Sequence, residues 1–150
     1  LAWQSERLAM MLELASGLHL PVILHTRGPW DELFRILDSF PHIRGIMHAF
    51  GGPPEIAREC LRRGYLLSAG PRLLNPASKK MRASFAEIPL AAIVLESDAP
   101  DMCPPDESPP NEPSVIVRVA KTLAEIRGEA AENIAVETRR NLLRHFDTKA

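Results

Sequence analysis

The chain has 150 residues, 45% of them apolar and 25% charged, and its 18 basic and 19 acidic side chains leave a formal net charge of −1. That is enough for one domain with a real core over residues 1–150, and it offers no general attraction to nucleic acid, so phosphate binding has to come from local clusters. No apolar stretch approaches the ~20 residues that span a bilayer, and no charged-then-apolar leader opens the chain, so a non-membrane, cytoplasmic protein is expected.

Taken in order, Leu8, Met11, Leu12, Ala15 and Leu18 recur at helical spacing, and the stripe ends near Gly17. Pro21-Val22-Ile23-Leu24 then has strand length and runs into His25. Gly28-Pro29 breaks the chain, and Trp30, Leu33, Phe34 and Leu37 give a second helix, closed by Pro41. Arg44-Gly45-Ile46-Met47 forms a second strand that runs into His48. After Ala49-Phe50-Gly51-Gly52, Pro53 and Pro54 suit the first turn of a helix, where missing amides would be unpaired anyway. Ile56, Ala57, Cys60 and Leu61 are its buried side, and Gly64 is a left-handed cap.

Tyr65 to Ala69 reads as the third strand, with Gly70-Pro71 as its exit, and a weaker helix spans about Ala77 to Glu87. Ala91 to Ser97 reads as the fourth strand, running into Asp98. Strand starts near positions 22, 43, 65 and 91 recur at a spacing close to the ~30 residues of a βαβ unit. Six prolines between residues 99 and 113 then exclude a helix or central strand and leave an ordered loop or lid. Ile116, Val119, Ala120 and Leu123 mark a helix ending at Gly128, and a last helical region runs from about Glu129 to Phe146.

Cys60 and Cys103 lack Cys-x-x-Cys spacing and read as two free thiols in a reducing compartment. Arg58, Arg62 and Arg63 form one basic cluster and Lys79, Lys80 and Arg82 another; a solvated helix face is the simpler reading of both.

Three of the four strands end in a side chain able to bind metal: His25, His48 and Asp98. Parallel strands of βα units bring their carboxyl ends to one face, where ligands and catalytic groups collect. A divalent cation takes nitrogen and oxygen ligands held rigidly, and zinc, manganese, nickel or magnesium would suit this donor set. Singly, each residue has a milder reading. A strand-end histidine can be a hydrogen-bonded rim residue, and Asp98 before Ala99-Pro100 can start a turn. Three at one topological position favour the metal. His19, His42 and His145 read as structural or solvated.

The blocks Pro21-Val22-Ile23-Leu24-His25-Thr26-Arg27, Met47-His48-Ala49-Phe50-Gly51-Gly52 and Leu95-Glu96-Ser97-Asp98-Ala99-Pro100-Asp101 resemble the signature blocks of TatD-type metal-dependent deoxyribonucleases. Asn111-Glu112-Pro113 resembles that family's Asn-x-Pro block. Asn141-Leu142-Leu143-Arg144-His145-Phe146 resembles its closing Asn-x-x-Arg-Leu-Phe helix, with His in place of Leu. The resemblance implies a (β/α)8 barrel whose divalent-metal centre cleaves phosphodiesters in DNA. It implies His25, His48 and Asp98 as metal ligands, Asp98 and Glu96 as the catalytic carboxylates, with Glu96 orienting ligands or water, and Arg27 and Arg72 near a substrate phosphate.

The same resemblance implies a fragment. The family's first-strand His-x-His pair and the bridging Glu of its fourth strand are absent, and the chain opens at Leu1 inside a helix. A full barrel takes ~250 residues. The expectation is therefore an α/β fold that is a partial (β/α)8 barrel, the carboxyl-terminal half with strands five to eight. Its inward Ile23, Ile46, Leu67 and Val94 would be covered by a homodimer or by the missing amino-terminal half. Two other readings compete: a catalytically silent remnant acting as a self-associating scaffold or a binding module, and an amidohydrolase-like enzyme acting on a small ester or amide.

Overall fold

Four parallel strands form one sheet in sequence order: β1 Val22–His25, β2 Gly45–His48, β3 Tyr65–Ala69 and β4 Ile93–Leu95. The computed structural model describes residues 2–27 and 29–146; Gly28, part of the expected chain break, lies outside them. Among the described residues six helices accompany the strands: α1 Ala2–Gly17, α2 Trp30–Leu37, α3 Pro54–Arg62, α4 Lys79–Glu87, α5 Ile116–Arg127 and α6 Ala131–Phe146. Three short 3-10 turns occupy Pro71–Leu74, Leu90–Ala92 and Pro113–Val115. A parallel sheet with helices between successive strands is an α/β fold, here a partial (β/α) barrel.

Side-chain alternation divides the sheet into two faces. Leu24, Met47, Leu67 and Ile93 pack into one core with Leu12, Phe34, Ala57, Cys60, Phe85, Leu123 and Ile134 from the helices. The register pairs Ile23 with Ile46, Ile46 with Leu66, Ser68 with Val94 and His25 with His48, which places these residues on the opposite, interior face. Leu67 therefore belongs to the helix-facing core, and Leu66 takes the interior position expected of it. Ile46 and Val94 are buried on the interior face, while Ile23 on edge strand β1 is 63% exposed. The exposed apolar residue of this face is thus on edge strand β1, and Leu18 and Leu20 in the turn that leads into it are exposed as well.

The ends of the elements have local causes. Gly64 and Gly128 cap α3 and α5 at φ +80° and +66°, the left-handed region in which glycine has no steric cost. Pro54 opens α3 at its first turn. The fourth strand is shorter than its apolar pattern, because Leu90–Ala92 after Pro89 winds into a 3-10 turn and only Ile93 to Leu95 pair with β3. Asn141 of α6 is buried, and its amide Nδ2 donates to the carbonyls of Leu90 at 2.8 Å and Ile93 at 2.9 Å, fixing the entry to β4.

The first basic cluster is bound up in ion pairs. Arg63 bonds Asp38 at 2.7 and 3.0 Å and lies over the Phe34 ring at 4.3 Å, while Arg58 pairs with Glu55 and Glu87. Hydrogen bonds from Arg62 and Arg63 hold the Glu59 carboxyl down at about 2. In the second cluster Arg82 donates to the Leu73 carbonyl, and Lys79 and Lys80 are exposed on α4.

Both cysteines are free. Burial pushes the Cys60 thiol up to about 12, whereas Cys103 is half-buried in the proline-rich loop. Because the thiolate is the nucleophile, a disulfide-exchange reagent at pH 8 should modify one thiol per native chain. The second should react only on unfolding, and Cys103→Ser should remove the fast phase. Two fast thiols in the native protein would contradict this packing.

Candidate metal centre

The parallel register places His25 and His48 side by side at the ends of β1 and β2, with ring centroids 5.2 Å apart. Beyond β4 the Glu96 N–H donates to the Ala69 carbonyl at 3.0 Å, so Glu96 stays in line with the sheet. Its carboxylate crosses over the end of β3 to reach β2. Oε2 lies 2.7 Å from His48 Nδ1, and Oε1 accepts the Ala49 N–H at 2.9 Å. Gly70 makes that crossing possible: a Cβ there would stand 2.9 Å from Glu96 Oε1 and 3.0 Å from its Cγ.

An ionised carboxylate only accepts hydrogen bonds, so the Glu96 contact puts a proton on His48 Nδ1 and frees Nε2 to serve as a ligand. Asp98 Oδ1 lies 3.2 Å from Nε2. With Nδ1 committed, Nε2 is either a second donor in an imidazolium or a lone pair facing an oxygen lone pair. A cation bound to both resolves the second case. Two ligands each ~2.1 Å from one cation, at tetrahedral or octahedral angles, stand roughly 3.0–3.4 Å apart. The His48–Asp98 pair therefore fits a divalent metal in donor type and in spacing. Among the described residues, no three His, Cys, Asp or Glu side chains are grouped so as to hold a metal as they stand. The arrangement is a pair of candidate ligands, His48 and Asp98, with His25 exposed beside it.

Two non-glycine residues here sit in the left-handed region, Ala49 at φ +49° and Asp98 at φ +55°. Such conformations cost roughly 1–3 kcal/mol and persist where surrounding contacts impose them. At Ala49 the compensating contact is the N–H bond to Glu96. Ser68 lies at the end of β3 on the same face, 1% exposed, and its hydroxyl has no partner among the described residues.

The expected phosphate-binding residues lie on the rim. Arg72 is exposed, with its guanidinium over Gly51, 3.1 Å from where a Cβ would stand. Arg27 is exposed in a cleft of about 530 Å³ that it lines with His25, Thr26 and Glu32. Neither guanidinium is in an ion pair among the described residues. His42 bonds Ser16 at 2.6 Å at the surface, and His145 is half-buried with its imidazole pushed down chiefly by burial.

The sequence does not announce two parts of this site. The Ala49 N–H is backbone and has no residue-type signal. Gly70 has one, since a glycine just past a strand marks a close approach, and the neighbour it admits is Glu96.

Comparison with known proteins gives the setting. The sequence profile of the family described as TatD related DNase matches residues 2–147. An uncharacterized metal-dependent hydrolase, YabD of Bacillus subtilis, is 34% identical over 146 residues, covering 95% of this chain and 57% of the relative. The human deoxyribonuclease TATDN3 is 31% identical over 143 residues, covering 95% of this chain and 48% of its own length. The crystal structure of the TatD homologue YjjV of Escherichia coli superposes with a TM-score of 0.85 at 34% identity, covering 91% of this chain and 54% of that one. The chain spans about half the length of the relatives it matches. The placement as a carboxyl-terminal half carrying strands five to eight is corrected by these matches: the family domain takes in nearly the whole chain. The absence of a His-x-His pair and a bridging Glu carries no positional information by itself, whereas the matched span does.

The Glu96 crossing predicts a steric coupling. Gly70→Ala should cost about 1–3 kcal/mol by overpacking, and the cost should largely vanish in a Glu96→Ala background. Denaturant unfolding of the four proteins in this double-mutant cycle measures it. An equal cost in both backgrounds would show that Gly70 is not there for the carboxylate.

Proposed function

This chain belongs to the TatD-related DNase family, and on that footing we propose that it is a metal-dependent hydrolase that cleaves phosphodiester bonds in DNA. The observation that carries the proposal is the His48–Asp98 pair at ligand spacing, with Glu96 fixing the His48 tautomer. His48 Nε2, Asp98 and His25 would hold the cation. When bound, a divalent cation supplies an activated water and offsets charge developing on the phosphoryl oxygens.

The remaining work belongs to the chain. Glu96 keeps the His48 ring in place and its Nδ1 protonated, and the Ala49 N–H keeps Glu96 in place. Arg27 and Arg72 hold substrate phosphates at the rim, as guanidiniums with no ion pair among the described residues and well suited to bidentate contact. Free cysteines support a reducing, cytoplasmic setting. Among the described residues no helix is long and apolar enough to cross a membrane. The exposed Ile23, Leu18 and Leu20 support a second copy, or an amino-terminal half of the barrel, packing along β1.

A catalytically silent binding module is the second reading, favoured by a ligand pair where a third donor is not yet engaged. One experiment separates the two. With Mn2+ added, the chain should cleave DNA, and chelator or His48→Ala should lower the rate at least 100-fold. Arg27→Gln and Arg72→Gln should each raise KM several-fold while changing kcat less. No metal-stimulated cleavage by the wild type would favour the binding module. Cleavage that survives His48→Ala would remove this centre from the reaction.

A further inference from the structure

Asp98 lies beyond the part of β4 that the sheet controls. The β3–β4 ladder ends at Ala69 and Leu95, and the Glu96 N–H bond to Ala69 is the last backbone bond to β3. From Ser97 the chain turns, with Asp98 in the left-handed region and the Asp101 N–H donating to the Asp98 carbonyl at 2.9 Å. The sheet therefore does not dictate where the Asp98 carboxylate points.

A buried amide from a distant part of the chain does. Asn111, at the end of the proline-rich loop, is 3% exposed. Its Nδ2 donates to the Ser97 carbonyl at 2.7 Å and to the Asp101 carbonyl at 2.7 Å, using both amide hydrogens. Its backbone N–H donates to the Pro100 carbonyl at 2.9 Å. Three bonds from one residue thus bracket Asp98 on both sides. Its Oδ1 is buried without a partner among the described residues, so the side chain works there as a donor alone. The loop that delivers Asn111 is itself tied to α5, where Arg118 pairs with Asp106 and Glu107.

We propose that Asn111 is a positioning residue for Asp98: its amide holds the 97–101 turn in the left-handed geometry that sets Asp98 Oδ1 against His48 Nε2. The role rests on the metal-centre reading and adds to it the residue that aims the ligand. Asn141 provides an internal control. It uses the same amide chemistry, equally buried, on the Leu90 and Ile93 carbonyls at the other end of β4, with no candidate ligand between them.

The test compares Asn111→Ala, Asn111→Ser and Asn141→Ala with the wild type by Mn2+ calorimetry and by hydrogen exchange at the Asp101 amide in metal-free protein. Asn111→Ala should weaken Mn2+ binding at least tenfold and speed Asp101 exchange at least tenfold. Asn111→Ser, which keeps one donor, should fall between it and the wild type, and it decides by the same criteria should the alanine variant not fold. Asn141→Ala should lower the melting temperature while changing Mn2+ affinity less than twofold. Wild-type Mn2+ affinity in the folded Asn111 variants, or an equal loss in Asn141→Ala, would overturn the positioning role. Unchanged Asp101 exchange in the Asn111 variants would overturn it as well. A wild type that takes up no Mn2+ would sink the metal-centre reading instead, while exchange at Asp101 still decides whether Asn111 holds the turn.

Discussion

The Glu96 carboxylate joins two strands that do not touch. It starts from the chain leaving β4, passes over the end of β3 and ends on His48 and the Ala49 N–H beyond β2. A charged acceptor in a half-buried place is stable only with donors, and here it has one on each oxygen. Other features of the site follow from that link. Position 70 must lack a side chain, Ala49 must adopt a left-handed conformation, and His48 must carry its proton on Nδ1 and offer Nε2 to the interior. The link also explains why three short strands, four, five and three residues long, hold their ends in register.

The sheet's fourth strand is the weakest part of this scheme and the best braced. Only Ile93 to Leu95 pair with β3, yet the segment carries both carboxylates of the site. Asparagine amides clamp it at entry and exit, each donating to two carbonyls that the sheet leaves free. Buried amides of this kind matter because an unpaired buried carbonyl costs ~1–3 kcal/mol, so each asparagine both satisfies the backbone and fixes its path. The helices that supply them, α5 through its leading loop and α6 directly, thereby connect the outer layer to the chemistry at the strand ends.

Much of the fold is legible in the sequence where local signals agree. Tyr65–Ala69 is a strand because an apolar run is bounded by Gly64 and Gly70, and α5 ends at Gly128 because no other residue takes φ +66° without cost. The apolar run from Ala91 to Ser97 misleads at both ends: Pro89 starts a 3-10 turn, and after Leu95 only the Glu96 N–H still bonds β3 before the chain turns at Ser97. In α1 the spacing identifies a helix but not which side is buried. Leu12 and Ala15 face the core, while Met11 and Leu18 are exposed. Of the candidate site, His25 and His48 stand at the strand ends where the sequence puts them, whereas Asp98 lies three residues past the end of β4. The tautomer of His48, the strain at Ala49 and the aim of Asp98 depend on contacts between residues far apart in sequence, which periodicity does not encode. Membership of the family and the span of the match come from comparison, and they replace the placement inferred from missing motifs.

The proposed function requires His48 Nε2 and Asp98 to be two ligands of one cation. Crystals of this chain grown or soaked with Mn2+ and measured for anomalous scattering test it most directly. The expected result is a peak ~2.0–2.2 Å from both His48 Nε2 and an Asp98 carboxylate oxygen, with Glu96 still on His48 Nδ1 and His25 turned toward the metal. A Mn2+ peak bound elsewhere, with the His48–Asp98 contact unchanged at full metal loading, would contradict it.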